Sequence, residues 1–141
     1  MKLALIGLGN MGQAILDGIL DKNILRAEQI IAADKKFGES NFNLDQKYEK
    51  LNITSDNKEA VEKSEYIILA VKPQIIEYVL EDIKNAAHSK VIVSIAAGIK
   101  TELIRQYLGS DSKIVRIMPN TPALVAEGMS ALNYSPAVEA D

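Results

Sequence analysis

The chain opens Met1-Lys2-Leu3-Ala4-Leu5-Ile6-Gly7-Leu8-Gly9-Asn10-Met11-Gly12, and no other stretch so narrows the folds available to it. Leu3 to Ile6 have the length and composition of a buried strand, and they run directly into Gly7-x-Gly9-x-x-Gly12. Met11, Ala14, Ile15, Gly18 and Ile19 then recur at helical spacing, which predicts a helix over 11–21. Strand, glycine turn and helix in that order are the context in which G-x-G-x-x-G binds a dinucleotide pyrophosphate. Gly7 permits the tight turn, Gly9 removes a Cβ from where the backbone approaches the pyrophosphate, and Gly12 lets the helix lie close to the strand. The helix start adds unpaired N–H groups and the positive end of its dipole. Glycine-rich turns in other α/β proteins share this spacing; the strand immediately before it favours the cofactor reading.

The 141 residues suffice for one domain with a core, and 48% apolar with 25% charged is an ordinary globular balance. A net charge of −3 and scattered lysines give no basic footprint for nucleic acid. The absence of cysteine removes disulfides, thiolate metal sites and a cysteine nucleophile, and a single histidine, His88, argues against zinc. The first residues imitate a signal peptide, but glycines and Asn10 interrupt the apolar run and no cleavage site follows. No stretch approaches the roughly 18 apolar residues of a membrane span, so a cytoplasmic protein without a membrane partner is expected.

Further along, 30–33 reads as a second strand, ending in Asp34-Lys35-Lys36 where a dinucleotide fingerprint places its ribose-binding residue, about 20 residues beyond the glycines. Residues 23–29 and 35–43 are polar connections. Leu44, Tyr48 and Leu51 suggest a short helix, and 53–54 a brief strand. Asp56-Asn57-Lys58-Glu59 has the form of a capping box opening a helix to about residue 63. Residues 66–71 are apolar on both faces, as in a central parallel strand, and stop at Lys72-Pro73. Ile76, Val79, Leu80 and Ile83 make a helix face; 91–95 is another strand, ended by Ala96-Ala97-Gly98. Thr101 is a cap for a helix carrying Leu103, Ile104, Tyr107 and Leu108, and Gly109 ends it. Strands over 114–118 and 129–133 complete the pattern, joined by Pro119-Asn120-Thr121-Pro122 and Gly128. Alternating strands and helices predict an α/β, Rossmann-like, doubly wound and mostly parallel sheet, with the last strand antiparallel at the edge. Residues 1–133 form the domain and 134–141 a tail.

In such a sheet, ligands collect at the carboxyl ends of the strands. There this sequence puts Gly7 to Gly12, Asp34-Lys35-Lys36, Ala70-Val71-Lys72-Pro73, Ala96-Ala97-Gly98 and Pro119-Asn120-Thr121-Pro122. Small residues allow close approach, and prolines hold a loop ordered before binding. Asn120 and Thr121 are an uncharged hydrogen-bonding pair suited to a nicotinamide or a small polar substrate, although Pro-x-x-Pro also serves as a plain rigid turn. Lys72 either faces a ligand or snorkels to solvent. Arg116, read as ending a strand, reaches a phosphate or pairs with a surface carboxylate. Glu77, Glu81 and Asp82 read as the wet face of a helix, and His88 as a solvated loop residue.

Together, Gly7-Leu8-Gly9-Asn10-Met11-Gly12-x-Ala14-Ile15, Asp56-Asn57-Lys58-Glu59, Ala70-Val71-Lys72-Pro73-Gln74, Ser94-Ile95-Ala96-Ala97-Gly98 and Arg116-x-Met118-Pro119-Asn120-Thr121-Pro122 resemble pyrroline-5-carboxylate reductases. The resemblance spans residues 1 to about 133. It implies hydride transfer from NAD(P)H to the C=N bond of 1-pyrroline-5-carboxylate, giving L-proline, the last step of proline biosynthesis. That reduction needs no protein nucleophile, in keeping with the lack of a Ser-His or Cys-His pair. By position, Ile6, Gly7, Leu8, Gly9, Asn10, Met11 and Gly12 hold the pyrophosphate, and Asn57 contacts the adenosine half. Ala70, Val71, Lys72 and Ala97 line the cofactor cleft, and Asn120 and Thr121 lie near the nicotinamide.

Two departures from that family stand out. Its members are much longer, with a helical second half that dimerises and completes the substrate pocket through a Ser-Gly-Ser-Gly-Pro-type motif absent here. The resemblance therefore implies a cofactor-binding half, a homo-oligomer for a full-length protein, and little turnover by these 141 residues alone. Asp34 suits the free ribose of NADH and repels a 2′-phosphate, whereas Lys35 and Lys36 suit the phosphate of NADPH. NADPH is favoured, with NADH as the alternative. Competing readings are a stand-alone NAD(P)-binding or sensing module, and a related imine or β-hydroxyacid reductase domain.

Overall fold

The computed structural model describes residues 2–39, 42, 47–48, 50–119 and 130–138. Among them seven strands form one sheet: β1 (Leu3–Ile6), β2 (Ile30–Ala33), β3 (Asn52–Thr54), β4 (Tyr66–Leu69), β5 (Val91–Ser94), β6 (Lys113–Pro119) and β7 (Ser130–Tyr134). Their order is β3-β2-β1-β4-β5-β6-β7. The first six are parallel and in step: Leu3 lies beside Ile30 and Tyr66, and Tyr66 beside Val91. β7 runs antiparallel to β6 at the edge, as expected. The helices are α1 (Asn10–Asp21), α2 (Asn57–Glu62), α3 (Ile76–Ile83) and α4 (Thr101–Leu108). This is the doubly wound, Rossmann-like arrangement, with the strand order reversing direction between β1 and β4.

The two-residue periodicity of strands divides the core into two layers. Leu3 and Leu5 point to one side, where they meet Leu16 of α1, Leu8 and Tyr48. Ala4 and Ile6 point to the other and join Val61 of α2, Leu80 and Ile83 of α3 and Ile104 of α4. The helix face expected of Ile76, Val79, Leu80 and Ile83 is buried in full.

Several boundaries differ from the sequence expectation, each for a local reason. β4 ends at Leu69, so Ala70 and Val71 are not strand residues but lie beyond the sheet's carboxyl edge. β5 likewise ends at Ser94, and β6 extends through Pro119. Residues 27–29 form a turn of 3₁₀ helix inside a segment expected to be irregular. Lys100, not Thr101, is the cap residue of α4, because Thr101 already has helical geometry. Asp56 does cap α2, accepting from the Glu59 N–H at 3.1 Å. The reciprocal half of that box runs through Thr54, whose hydroxyl accepts from the Asp56 N–H and donates to Glu59. The helix expected around Leu44 falls largely outside the described residues, as do Gly128 and Met129.

Strands β4 to β6 are buried on one side only. On the side shared with α1, register aligns Tyr66, Val91, Val93, Val115, Ile117, Leu132 and Tyr134. The valines and Ile117 are half-buried, while Tyr66, Leu132 and Tyr134 are exposed. Apolar composition on both faces therefore marks a coverable surface, which no described helix covers at this end. Among the described residues, no helix is long and apolar enough to cross a membrane.

The sheet continues one residue beyond the expected domain limit, and the chain after it is tied down. The buried Ser135 hydroxyl accepts from the Ile114 N–H at 3.0 Å and donates to the Ser112 carbonyl at 3.0 Å. Ser135→Ala would leave the Ile114 amide without its acceptor. A loss of about 1–3 kcal/mol is expected, read as a lower urea midpoint with an unchanged slope.

Candidate functional site

All six parallel strands end at one edge of the sheet, and two adjoining clefts open there. The first, about 620 Å³, is lined by Ile6, Gly7, Leu8, Gly9, Asp34, Lys35, Lys36, Asn57, Ala70, Val71 and Lys72 among others. The second, about 550 Å³, takes in Gly9, Asn10, Met11, Ala70, Val71, Lys72, Ala97, Met118 and Pro119. Gly9, Ala70, Val71 and Lys72 belong to both. The clefts therefore meet over the point where the strand order reverses, the place where open α/β sheets bind ligands. Each lies within the range of about 300–1,000 Å³ of small-molecule sites.

Three glycines shape this junction differently. Gly7 has φ +98°, and a Cβ there would lie 2.7 Å from the Ala70 carbonyl oxygen. At Gly12 a Cβ would lie 2.1 Å from the Gly7 oxygen, so α1 can begin against the turn only without a side chain. At Gly9 a Cβ would meet nothing within 4 Å: the space above it is cleft, not protein. Gly12 lines neither cleft; its part is to seat the helix. The first-turn amides of α1 have no carbonyl within the helix to reach, which leaves them as donors toward the shared cleft wall.

The Asp34 carboxylate sits at the end of β2 and holds two backbone amides, Leu8 at 2.8 Å and Lys36 at 3.0 Å. It thus fastens the glycine turn to the neighbouring strand. A carboxylate has about four acceptor positions, so capacity remains for hydroxyl donors. Gln13, which the sequence reading passed over, donates to the Leu8 carbonyl at 2.8 Å and lines the same cleft. Its signal was its place in the first turn of α1, one residue beyond Gly12.

Asn57 is buried, one residue past the Asp56 cap of α2, and donates from Nδ2 to Asp82 Oδ2 at 3.0 Å. The Glu59 carboxyl is held below its usual range by Lys63 first and by the Thr54 hydroxyl second, which anchors the approach to α2. Lys35 approaches Asp82 Oδ2 at 3.5 Å. Asp82 therefore does more than face solvent, contrary to the sequence reading. Phe42, Ile75 and Val79 complete the apolar wall of the first cleft. No motif announced Phe42 or Ile75, and the helical spacing that marked Val79 pointed to the core.

Lys72 is exposed and borders both clefts, while Ala97 borders only the second. Asn120 and Thr121 lie outside the described residues. Arg116 does not end its strand: it lies inside β6 opposite the buried Ser94, its Nε is buried without a hydrogen-bond partner, and it lines neither cleft. His88 is exposed in the turn before β5.

Comparison with known proteins gives a consistent picture. Residues 2–98, which run from before β1 to the turn after β5, match the model of a family described as NADP oxidoreductase, coenzyme F420-dependent. Pyrroline-5-carboxylate reductase of Haemophilus influenzae is 44% identical over 133 residues, 92% of this chain and 47% of the relative. That of Pasteurella multocida is 41% identical over 132 residues, 92% of this chain and 48% of the relative. Among solved structures, Plasmodium falciparum pyrroline carboxylate reductase with NADP bound superimposes with a TM-score of 0.84 at 35% identity, covering 99% of this chain and 50% of that one. Pyrroline-5-carboxylate reductase of Coxiella burnetii gives a TM-score of 0.89 at 30% identity, covering 98% of this chain and 51% of the other. The chain spans about half the length of the curated relatives it matches.

The glycines separate stability from access. Gly12→Ala forces a methyl group against the Gly7 backbone carbonyl and is expected to cost about 3 kcal/mol. Gly9→Ala should leave the denaturation midpoint nearly unchanged, because the poorer cap residue is offset by a less flexible unfolded chain. Urea unfolding of both variants checks this; equal destabilisation would contradict the geometry.

Proposed function

We propose, on the premise that this chain belongs to the family described as NADP oxidoreductase, coenzyme F420-dependent, that it is the cofactor-binding domain of a pyrroline-5-carboxylate reductase. The reaction is reduction of the C=N bond of 1-pyrroline-5-carboxylate to L-proline at the expense of NAD(P)H, NADPH being favoured. The observation that carries this reading is the pair of clefts meeting over Gly9, where the missing Cβ opens onto ligand space. The relatives' names supply the substrate, and a solved structure described as having NADP bound supports the cofactor.

The residues fit such a cofactor. The glycine turn and first turn of α1 offer amides to the pyrophosphate. Asp34, Lys35, Lys36 and Asn57 surround the adenosine half, with acceptors for ribose hydroxyls and cations for a 2′-phosphate. The second cleft, walled by Val71, Ala97, Met118 and Pro119, takes the nicotinamide half. When bound, the dihydronicotinamide supplies the hydride. The protein's own contribution is to fix that ring beside the substrate and to exclude water with an apolar wall. Lys72, at the junction, is placed to hold the anionic groups that meet there. Asn120 and Thr121 remain the candidates for positioning nicotinamide or substrate. The dinucleotide domain takes in the expected residues 1–133 together with Tyr134 and Ser135, which the sheet holds, and the rest of the substrate pocket and the homo-oligomer contacts belong to further sequence of the kind the relatives' greater length provides.

Titration of the 141-residue chain with NADPH and NADH, followed by nicotinamide fluorescence, tests the reading. Saturable binding is expected, and Gly9→Ala should weaken it by about tenfold, roughly 1.4 kcal/mol, while leaving the thermal midpoint in place. A chain that binds neither dinucleotide is not a cofactor domain of this kind.

A further inference from the structure

One carboxylate behind the first cleft touches two of its lining residues without lining it. Asp82, in the last turn of α3, puts Oδ2 at 3.0 Å from Asn57 Nδ2 and at 3.5 Å from Lys35 Nζ. Asn57 and Lys35 both face the cleft, and Asp34 and Lys36 stand beside them. We propose that Asp82 is a positioning residue that sets the discrimination between phosphorylated and unphosphorylated dinucleotides, by tethering Lys35 and fixing the amide of Asn57. The proposal rests on the dinucleotide-domain reading above.

At the ribose end, Asp34 and Asp82 set two negative charges against Lys35 and Lys36, so the corner is balanced. A 2′-phosphate brings close to two further negative charges, and pairing it with Lys35 as well as Lys36 draws Lys35 away from Asp82. Its release leaves Asp82 with the amide of Asn57 alone among the described residues. The unphosphorylated ribose asks for neither change, because its hydroxyls need acceptors, which Asp34 offers. The ionised carboxylate only accepts, so it holds the Nδ2 side of Asn57 toward itself. Asn57 is buried, whereas the Lys35 pair is exposed and worth little as a stabilising contact. That weakness makes the tether adjustable: Lys35 can be lent to a ligand at modest cost, and the cost falls on one dinucleotide only.

The test compares NADPH and NADH dissociation constants for the wild-type chain, Asp82→Asn, Lys35→Gln and the double variant. Asp82→Asn should tighten NADPH by about three- to tenfold and change NADH by about twofold or less, the scale of one partly exposed charge. Lys35→Gln should remove most of that gain in the Asp82→Asn background while having a smaller effect alone. An unmoved NADPH-to-NADH ratio overturns the proposal, as does equal weakening of both, which is what a merely structural role for Asp82 would give. Lys35 lies on the exposed turn after β2, outside the sheet and the helices, so its variant and the coupling to it remain informative about folded protein. If the wild-type chain binds neither dinucleotide, the underlying reading falls and the proposal with it. If it binds both and the ratio does not move, only the role of Asp82 is refuted.

Discussion

The approach of Gly12 to the Gly7 carbonyl fixes the rest of the functional end of the molecule. A Cβ at Gly12 would lie 2.1 Å from that oxygen, inside any tolerable contact. Because the helix can begin there, α1 starts directly over the junction of β1 and β4, and its first-turn amides reach the mouth of both clefts. Gly7 in turn lies against the Ala70 carbonyl, so the end of β4 is part of the same contact. Asp34 then ties the turn to β2 through the Leu8 amide. Three neighbouring strands thus share one junction, and the site's geometry follows from backbone contacts before any ligand-facing side chain is considered.

Parallel register does the remaining placement. With β1, β2, β4 and β5 in step, the residues following each of them arrive at a common edge, where β6 also ends. This is why the site was largely legible in the sequence. The glycine turn, Asp34-Lys35-Lys36 and Ala70-Val71-Lys72-Pro73 each follow a strand, and the apolar runs that build β1, β2 and β4 are plain in the sequence. The periodic helix face of Ile76, Val79, Leu80 and Ile83 was legible for the same reason: it states its burial in its spacing.

What the sequence did not disclose depends on partners distant in the chain. The strand ends at Leu69 and Ser94 were read too long, because Ala70, Val71 and Ile95 are as apolar as the strands, and only the lack of a neighbour beyond the sheet edge stops the pairing. Arg116, expected to end a strand, lies inside one, because antiparallel pairing with β7 carries β6 through to Pro119. Asp82 looked like one of three acidic residues on a wet helix face. Its contact with Asn57 spans 25 residues and depends on α2 packing beside α3, for which no local pattern exists. Exposure of the β4–β7 face was equally hidden, since apolar composition records what a surface can bury and not whether something covers it.

The cofactor end poses a conflict that motif reading leaves open, and the hydrogen bonds narrow it. Asp34 in isolation argues for a free ribose, and the two lysines after it argue for a phosphate. In the fold, Asp34 is already committed to two amides, Leu8 and Lys36, so part of its charge is spent on holding the turn together. An amide-bound carboxylate still repels a phosphate, but substituting it would also loosen the glycine turn that it fastens to β2. Lys35 is held by Asp82, while the Lys36 ammonium, unlike its backbone amide, has no carboxylate partner among the described residues. The balance between cofactors therefore resides less in Asp34, which the fold needs in either case, than in how firmly the neighbouring cation is held. A determinant set one layer behind the cleft can vary without disturbing the glycine turn, and that separation of loop architecture from cofactor choice is what this arrangement of carboxylates achieves.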